Sequence, residues 1–127
     1  MNKETTTETP VTLVVGASEN SMRYSYLAVN KLTRHGHPVI ALGNKAGNIG
    51  NIPIITHIDP NTEIDTITLY VGPARQKDLI GNLLSLNPKR IIFNPGTENP
   101  EFINKAREQG IEVEIACTLV MLSAGTY

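Results

Sequence analysis

Short apolar segments, rich in β-branched residues, recur along the chain and alternate with segments of helical periodicity. Apolar runs of this length, bounded by glycine or polar residues, are typical of buried strands in a parallel sheet. One run contains Pro53, which is tolerated in an edge strand. We predict strands at 11–15, 38–42, 52–56, 65–71, 89–93 and 111–115.

Helical segments separate most of these strands, and capping residues stand near their ends. The segment 43–51 contains three glycines and is predicted to be a loop. We predict helices from Ser21 or a neighbour to about His35, from Pro73 to about Leu86, from Asn99 or Pro100 to about Gln109, and from Cys117 to Leu122.

Regular alternation of strands and helices predicts βαβ units, and right-handed crossovers favour a doubly wound sheet. We therefore predict an α/β, Rossmann-like domain with helices on both faces of a parallel sheet. About five strands in the order 3-2-1-4-5 are expected, with room for a sixth small strand. The 127-residue length fits one domain at 11–127, preceded by a polar, threonine-rich arm at 1–10 that we expect to be flexible.

Composition narrows the classes of partner. The net charge of −1 and the scattered lysines and arginines give no support for nucleic acid or an anionic membrane. No apolar run approaches the ~20 residues needed to span a bilayer, and the first residues lack the pattern of a signal peptide. The single cysteine excludes an intrachain disulfide. We expect a cytoplasmic protein with a small-molecule ligand.

The loop after the first strand is the strongest candidate site. Ligands of such sheets bind at the carboxyl ends of the strands where the winding direction reverses, here near loops 16–21 and 72–75. Gly16 permits a sharp turn, Ala17 and Ser18 are small, and amides at the following helix N-terminus could hold a phosphate. The hydroxyls of Ser18 and Ser21 could add hydrogen bonds. The alternative is that Gly16 only makes a tight turn, since the G-x-G-x-x-G pattern is incomplete.

Residues after the other strands bear on the kind of nucleotide. The second strand is followed by no carboxylate of the sort that holds NAD ribose hydroxyls. Lys45 instead suits a phosphate on the adenosine ribose, as in NADP or coenzyme A, or else is a solvated lysine. Arg75 could meet a phosphate or a surface carboxylate. Asn94 and the amides near Gly96 could bind a pantetheine or pyrophosphate group.

An ordered series of short motifs resembles a known family. The series resembles the small stand-alone CoA-binding proteins, whose fold is similar to the N-terminal domain of the succinyl-CoA synthetase alpha subunit. The resemblance covers nearly the whole chain after the N-terminal arm. Its motifs are V-V-G-A-S at 14–18, H-G-H-P-V at 35–39, G-N-K at 43–45, G-N-I-P at 50–53, N-P-G-T-E-N at 94–99, G-I-E-V at 110–113 and A-C-T-L-V-M-L at 116–122.

This resemblance implies coenzyme A, free or acylated, as the ligand, and it assigns several residues to the cofactor. Lys45 falls on the family's basic position near the 3′-phosphate. The phosphate loop corresponds to Gly16, Ala17 and Ser18. The segments lining the cofactor after the fourth and fifth strands correspond to Val71, Gly72 and Pro73, and to Asn94, Pro95 and Gly96.

The sequence contains no recognisable catalytic constellation. His35 and His37 do not have the spacing of a typical zinc motif, and no serine stands in a G-x-S-x-G elbow. Cys117 is either a buried, inert cysteine or a thiol near the ligand edge that could form a mixed disulfide with coenzyme A.

We therefore predict a CoA-binding module with no metal and no activity of its own. The alternatives are a small NADP-binding or other nucleotide-binding protein, and a non-catalytic interaction domain with an empty cleft. The sequence leaves open whether the domain is a monomer or a homodimer.

Overall fold

The computed structural model describes residues 10–127 and contains one sheet of seven strands with helices packed on both faces. The predicted arm at 1–10 therefore lies, apart from Pro10, outside the described residues. The strands are β1 (Thr12–Val15), β2 (Val39–Leu42), β3 (Gly47–Ile49), β4 (Ile52–Ile55), β5 (Thr66–Leu69), β6 (Arg90–Phe93) and β7 (Glu112–Ile115). The helices are α1 (Tyr24–Arg34), α2 (Pro73–Gln76), α3 (Ile80–Ser85), α4 (Pro100–Glu108) and α5 (Thr118–Ala124).

The sheet order is β3-β4-β2-β1-β5-β6-β7, and every neighbouring pair is parallel except β3 with β4. The doubly wound Rossmann-like fold is confirmed. Counted in chain order, the parallel strands alone run 3-2-1-4-5-6, so the five-strand count needs two corrections. The last predicted strand is a full member at one edge, and β3 adds an antiparallel strand at the other.

The strand β3 lies in the segment predicted to be a loop. Gly50 and Asn51 form a two-residue hairpin turn, with Gly50 at φ +58°, and Gly47 pairs with Ile54 across it. Two-residue turns with a glycine at positive φ are a common hairpin connection. Because β3 has three residues and weak strand propensity, its conformation depends on pairing with β4.

Two helix predictions also need correction. Arg23, not Ser21, is the N-cap residue of α1, and no side chain within residues 10–127 caps that helix. The helix predicted from Pro73 to Leu86 is two helices, because the Leu79 amide donates to the Gln76 carbonyl (2.7 Å) in a turn that interrupts the helical pattern.

The core has two layers, one on each face of the sheet. Helices α3 and α4 cover one face, where the Phe93 and Phe102 rings meet edge to face with centroids 5.3 Å apart. Helices α1 and α5 cover the other face with residues such as Val29, Leu32 and Leu122. Burial of these apolar side chains supplies most of the driving force for folding. Within residues 10–127, no helix has the length and hydrophobicity that crossing a membrane requires.

Candidate functional site

A cleft of about 590 Å³ opens at the carboxyl ends of β1, β2, β4 and β5. The helices after β1 and β5 pack on opposite faces, so the winding direction reverses between these two strands, where ligands of doubly wound sheets bind. The volume is within the usual range of small-molecule sites. The residues that line the cleft include Gly16, Ala17, Ser18, Arg23, Tyr24, Ser25, Gly43, Asn44, Thr56, Tyr70, Val71, Arg75 and Asp78.

Gly16 makes the tight turn at the base of the cleft. Its φ of +96° is in the left-handed region that favours glycine, and a Cβ there would lie 2.9 Å from Val71 Cγ1 and 3.1 Å from the Tyr70 carbonyl. The amides of Gly16 and Ala17 both donate to the Leu42 carbonyl at 2.9 Å. These two amides hold the loop against β2, so they are not free to bind a phosphate.

The next residues of the loop have backbone N–H groups without a partner among residues 10–127. The Ser18 hydroxyl accepts the Asn20 amide (3.1 Å), and the Asn20 side chain accepts the Met22 amide (3.0 Å). The amides of Ser18, Glu19 and Ser21 donate to no other residue of 10–127. Together with the unpaired amides of the first turn of α1, they form a donor-rich approach to an anion.

The charged border of the cleft is mainly cationic. Arg23 and Arg75 line it together with a single carboxylate, Asp78. Neither guanidinium lies within ion-pair distance of a carboxylate of the described residues. Two exposed arginines beside free amides favour a ligand that carries phosphate groups.

Tyr70 forms the wall between the cleft and the buried end of α5. Its hydroxyl is buried and makes no hydrogen bond to the described residues. Burial raises the pKa of Tyr70 to about 12, while the nearby hydroxyls of Thr68 and Thr118 partly oppose the shift. The phenol is therefore neutral at physiological pH and presents a largely apolar ring to the cleft.

Gln76 joins the loops that follow β5 and β6. Its fully buried amide donates to the Val71 carbonyl (2.9 Å) and to the Thr97 carbonyl (2.7 Å), and its oxygen accepts from Asn99 (2.9 Å). Both amide hydrogens and the oxygen of this side chain are hydrogen-bonded, so Gln76 fixes the rim of the cleft near Val71.

Asn94 is a structural tie at the end of β6. Its amide group donates to the Thr68 hydroxyl (2.7 Å) and the Leu69 carbonyl (2.8 Å), and its oxygen accepts the Thr118 amide (2.8 Å). The side chain is 2% exposed. The structure thus uses both amide hydrogens of this carboxamide to join β5, β6 and α5, and leaves none for a ligand.

The structure brings about half of the sequence-predicted residues together. Cys117 is half-buried at the N-cap of α5, and Lys45 and Ser21 are exposed. The predicted residues that line the cleft are Gly16, Ala17, Ser18, Val71, Arg75 and Pro95. Those that do not line it are Ser21, Lys45, Gly72, Pro73, Asn94, Gly96 and Cys117.

Several lining residues were missed by the sequence reasoning. Arg23 and Tyr24 are the N-cap and the first residue of α1, and the predicted start near Ser21 puts them one turn into the helix instead of at its exposed end beside the cleft. Asn44 lies two residues after the end of β2, and Thr56 directly follows β4. The rule that ligands bind at the carboxyl ends of the strands therefore could have identified both residues from the sequence. Across residues 10–127, no three His, Cys, Asp or Glu side chains are grouped so that they could hold a metal ion.

Comparisons with known proteins identify the family and the fold. A sequence profile of the family described as "CoA binding domain" matches residues 11–123. The crystal structure of an uncharacterized protein is 47% identical with a TM-score of 0.90, over 95% of this chain and 100% of that chain. No protein of curated function matches the sequence.

More distant solved structures share the fold. A protein from Thermus thermophilus is 20% identical with a TM-score of 0.82, over 94% of this chain and 91% of that chain. A hypothetical protein from Pyrococcus horikoshii OT3 is 22% identical with a TM-score of 0.80, over 89% and 81%. Since the family profile spans almost all of the described residues, this chain belongs to the CoA binding domain family.

Proposed function

We propose that the chain binds coenzyme A, free or acylated, in the cleft at the carboxyl edge of the sheet, and that it catalyses no reaction itself. The observation that carries the proposal is the position of loop amides and two arginine side chains, Arg23 and Arg75, at the reversal point of a CoA-binding-family fold, with no hydrogen-bond or ion-pair partner for these groups among residues 10–127. The absence of a recognisable catalytic motif in the sequence supports the second half.

The pyrophosphate is assigned to the loop between β1 and α1. The free amides of Ser18, Glu19 and Ser21 and the first turn of α1 offer hydrogen bonds and the positive end of a helix dipole. Arg23 and Arg75 flank this position and supply the opposite charge. This assignment shifts the phosphate contacts two to five residues beyond Gly16, whose own amide is bonded to the Leu42 carbonyl of β2.

The pantetheine arm is assigned to the groove between the loops after β5 and β6. Tyr70, Val71 and Pro95 line that side of the cleft, and Gln76 fixes the two loops relative to each other. A neutral tyrosine ring and small apolar groups suit an amide-linked, uncharged chain. Gly72 and Gly96 lie on the same two loops, so their backbone amides and carbonyls belong to the segment assigned to the arm.

The adenosine 3′-phosphate is assigned to Lys45. No carboxylate follows β2, where an NAD site would need one, and Lys45 is an exposed cation in the turn after it. NADP also carries a phosphate on its adenosine ribose, so NADP binding is the competing outcome that a test must include.

Calorimetric titration with coenzyme A and with dephospho-CoA tests the proposal. Wild-type protein should prefer coenzyme A by about 1 kcal/mol or a little more, because one charge-assisted contact is lost with the 3′-phosphate. Lys45→Ala should remove most of that preference. Lys89→Ala is a matched control, because Lys89 is exposed at the opposite edge of the sheet and should leave it unchanged. Equal affinities in the wild type would remove the role of Lys45, and stronger binding of NADP would favour the alternative ligand.

A further inference from the structure

Glu19 belongs to the loop assigned to the pyrophosphate, yet its carboxylate is turned away onto the strand β3. Its Oε2 accepts the Asn48 amide at 2.8 Å. A Cβ on Gly47 would lie 2.4 Å from Glu19 Cδ and 2.6 Å from Glu19 Oε2. The carboxylate thus lies directly against the Cα of a residue that has no side chain. We call this contact of Glu19 with Gly47 and Asn48 the Glu19 latch.

The latch closes one end of the turn that carries Lys45. At the other end, the Gly43 amide donates to the Ile55 carbonyl (2.9 Å), and a Cβ on Gly43 would lie 2.4 Å from the Ala17 carbonyl oxygen. The four residues between β2 and β3 are therefore fixed at both ends to the loop after β1 or to β4. Lys45 lies in the middle of this turn. The contacts at the two ends of the turn, and not its own side chain, set the position of its backbone.

We propose that Glu19 is a positioning residue that sets the preference for a 3′-phosphorylated adenosine by holding the Lys45 turn against the phosphate loop. The inference rests on the proposed function, since it assigns a determinant of specificity to the same site. The Glu19 carboxylate acts through Lys45, and only the backbone amide of Glu19 is assigned to the ligand. A lysine presented on a fixed turn loses less conformational freedom when it meets the phosphate, so the latch strengthens that contact.

The direction of the change in ligand affinity distinguishes this positioning role from the effect of the Glu19 charge alone. Glu19 is an anion next to a proposed phosphate site, so removal of its charge alone would strengthen the binding of every phosphate-bearing ligand. Loss of the latch instead weakens coenzyme A relative to dephospho-CoA. If Glu19 held the ribose directly, its removal would weaken both ligands by similar factors.

Two different substitutions break the latch from its two sides. Glu19→Ala removes the carboxylate, and Gly47→Ala displaces it with a methyl group while Glu19 stays in the chain. The Gly47 backbone is not in the left-handed region, and the clashing atoms are the end of a flexible side chain, so the variant should fold. Glu19→Gln keeps an oxygen acceptor for the Asn48 amide and is the conservative variant. Circular dichroism and thermal unfolding confirm the folded state of each.

The measurement is the ratio of dissociation constants for dephospho-CoA and coenzyme A by calorimetry. A preference of about fivefold or more in the wild type corresponds to the single phosphate contact. We expect it to fall below about twofold in Glu19→Ala and in Gly47→Ala, to be largely kept in Glu19→Gln, and to fall no further in the double variant Glu19→Ala/Gly47→Ala. In Gly47→Ala, which keeps Glu19 in the chain, the affinity for dephospho-CoA should not fall.

The outcomes distinguish the inference from the function on which it rests. Failure of the wild type to bind coenzyme A overturns the proposed function, and the latch proposal with it. A wild type that prefers coenzyme A, with the full preference kept in Glu19→Ala, overturns the latch proposal alone. Equal weakening of both ligands in Glu19→Ala also overturns it, in favour of direct contact.

Discussion

At the scale of single residues, the loop after β1 depends on glycine for two separate reasons. Gly16 has a left-handed φ, and it also approaches the backbone of Tyr70 more closely than a side chain allows. The sequence alone leaves open whether Gly16 serves a turn or a ligand. In the structure Gly16 makes the turn and lines the cleft. The amides without partners among residues 10–127 belong to Ser18, Glu19 and Ser21.

Substitution of Gly16 and of Gly36 by alanine should separate these two effects. Both glycines have left-handed φ values, +96° and +83°, but a Cβ on Gly36 meets nothing within 4 Å. Gly36→Ala should lower the free energy of unfolding by about 1 kcal/mol from backbone strain alone. Gly16→Ala should cost about 1–2 kcal/mol more, because the Tyr70 backbone must shift. Urea denaturation measures both, and equal losses would contradict the close approach.

Cys117 gives a second prediction at this scale. It is half-buried, and the Thr118 amide that follows it bonds to Asn94, the neighbour of the cleft residue Pro95. The thiolate should attack the disulfide of oxidised coenzyme A, release one CoA thiolate and retain the other CoA as a mixed disulfide. Intact-mass measurement should show one adduct that a reductant removes and that Cys117→Ser lacks. An unmodified wild type would indicate that this thiol cannot reach the ligand.

At the scale of elements, the predictions succeeded where local signals and packing agree. The apolar runs gave all six parallel strands, and Asn99 before Pro100 marked the start of α4, whose first amides its side chain accepts. The failures have tertiary causes. Strand β3 exists because β4 pairs with it, and α2 ends at Gln76, whose side chain is held by hydrogen bonds to two loops. Neither the pairing nor the burial is visible in a single sequence.

The tie formed by Asn94 predicts a large effect on stability. Asn94→Ala would leave the Thr118 amide and the Leu69 carbonyl without partners in a buried place. The free energy of unfolding should fall by about 2–4 kcal/mol, since each unsatisfied buried group costs about 1–3 kcal/mol. Asn104→Ala, at an exposed position of α4, should change it by less than about 0.5 kcal/mol. Similar values for the two variants would argue against the tie.

At the scale of the whole molecule, the carboxyl ends and the amino ends of the strands have different roles. The carboxyl edge holds the cleft, and its position followed from the winding order that the sequence predicted. Near the opposite edge, the Tyr127 ring lies under the Arg90 guanidinium (4.5 Å to the ring centroid) and against the His37 ring (4.9 Å between centroids). This second cluster was not predicted, because its members are far apart in the sequence.

We expect that cluster to make the free energy of unfolding depend on pH. Burial, followed by the charges of His35 and Arg90, lowers the pKa of His37 from its ordinary value of 6.5. A lowered pKa means that the unfolded chain binds the proton more readily, so stability falls as the pH falls through and below 6.5. Thermal unfolding between pH 7.5 and 5 should show a smaller loss in His37→Gln than in the wild type. His57→Gln, at an exposed position, should behave as the wild type, and an unchanged pH slope in His37→Gln would contradict the assignment.

The central claim is that the cleft selects coenzyme A, and protection against thermal unfolding tests it most directly. The measurement compares the melting temperature of the purified protein alone and with equal concentrations of coenzyme A, NADP, NAD and ATP. A ligand at about 100 times its dissociation constant stabilises the folded state by ~2.7 kcal/mol, a shift of about 10 °C for a domain of this size. We predict such a shift with coenzyme A and clearly smaller shifts with the others. An equal or larger shift with NADP, or no shift with coenzyme A, would contradict the account.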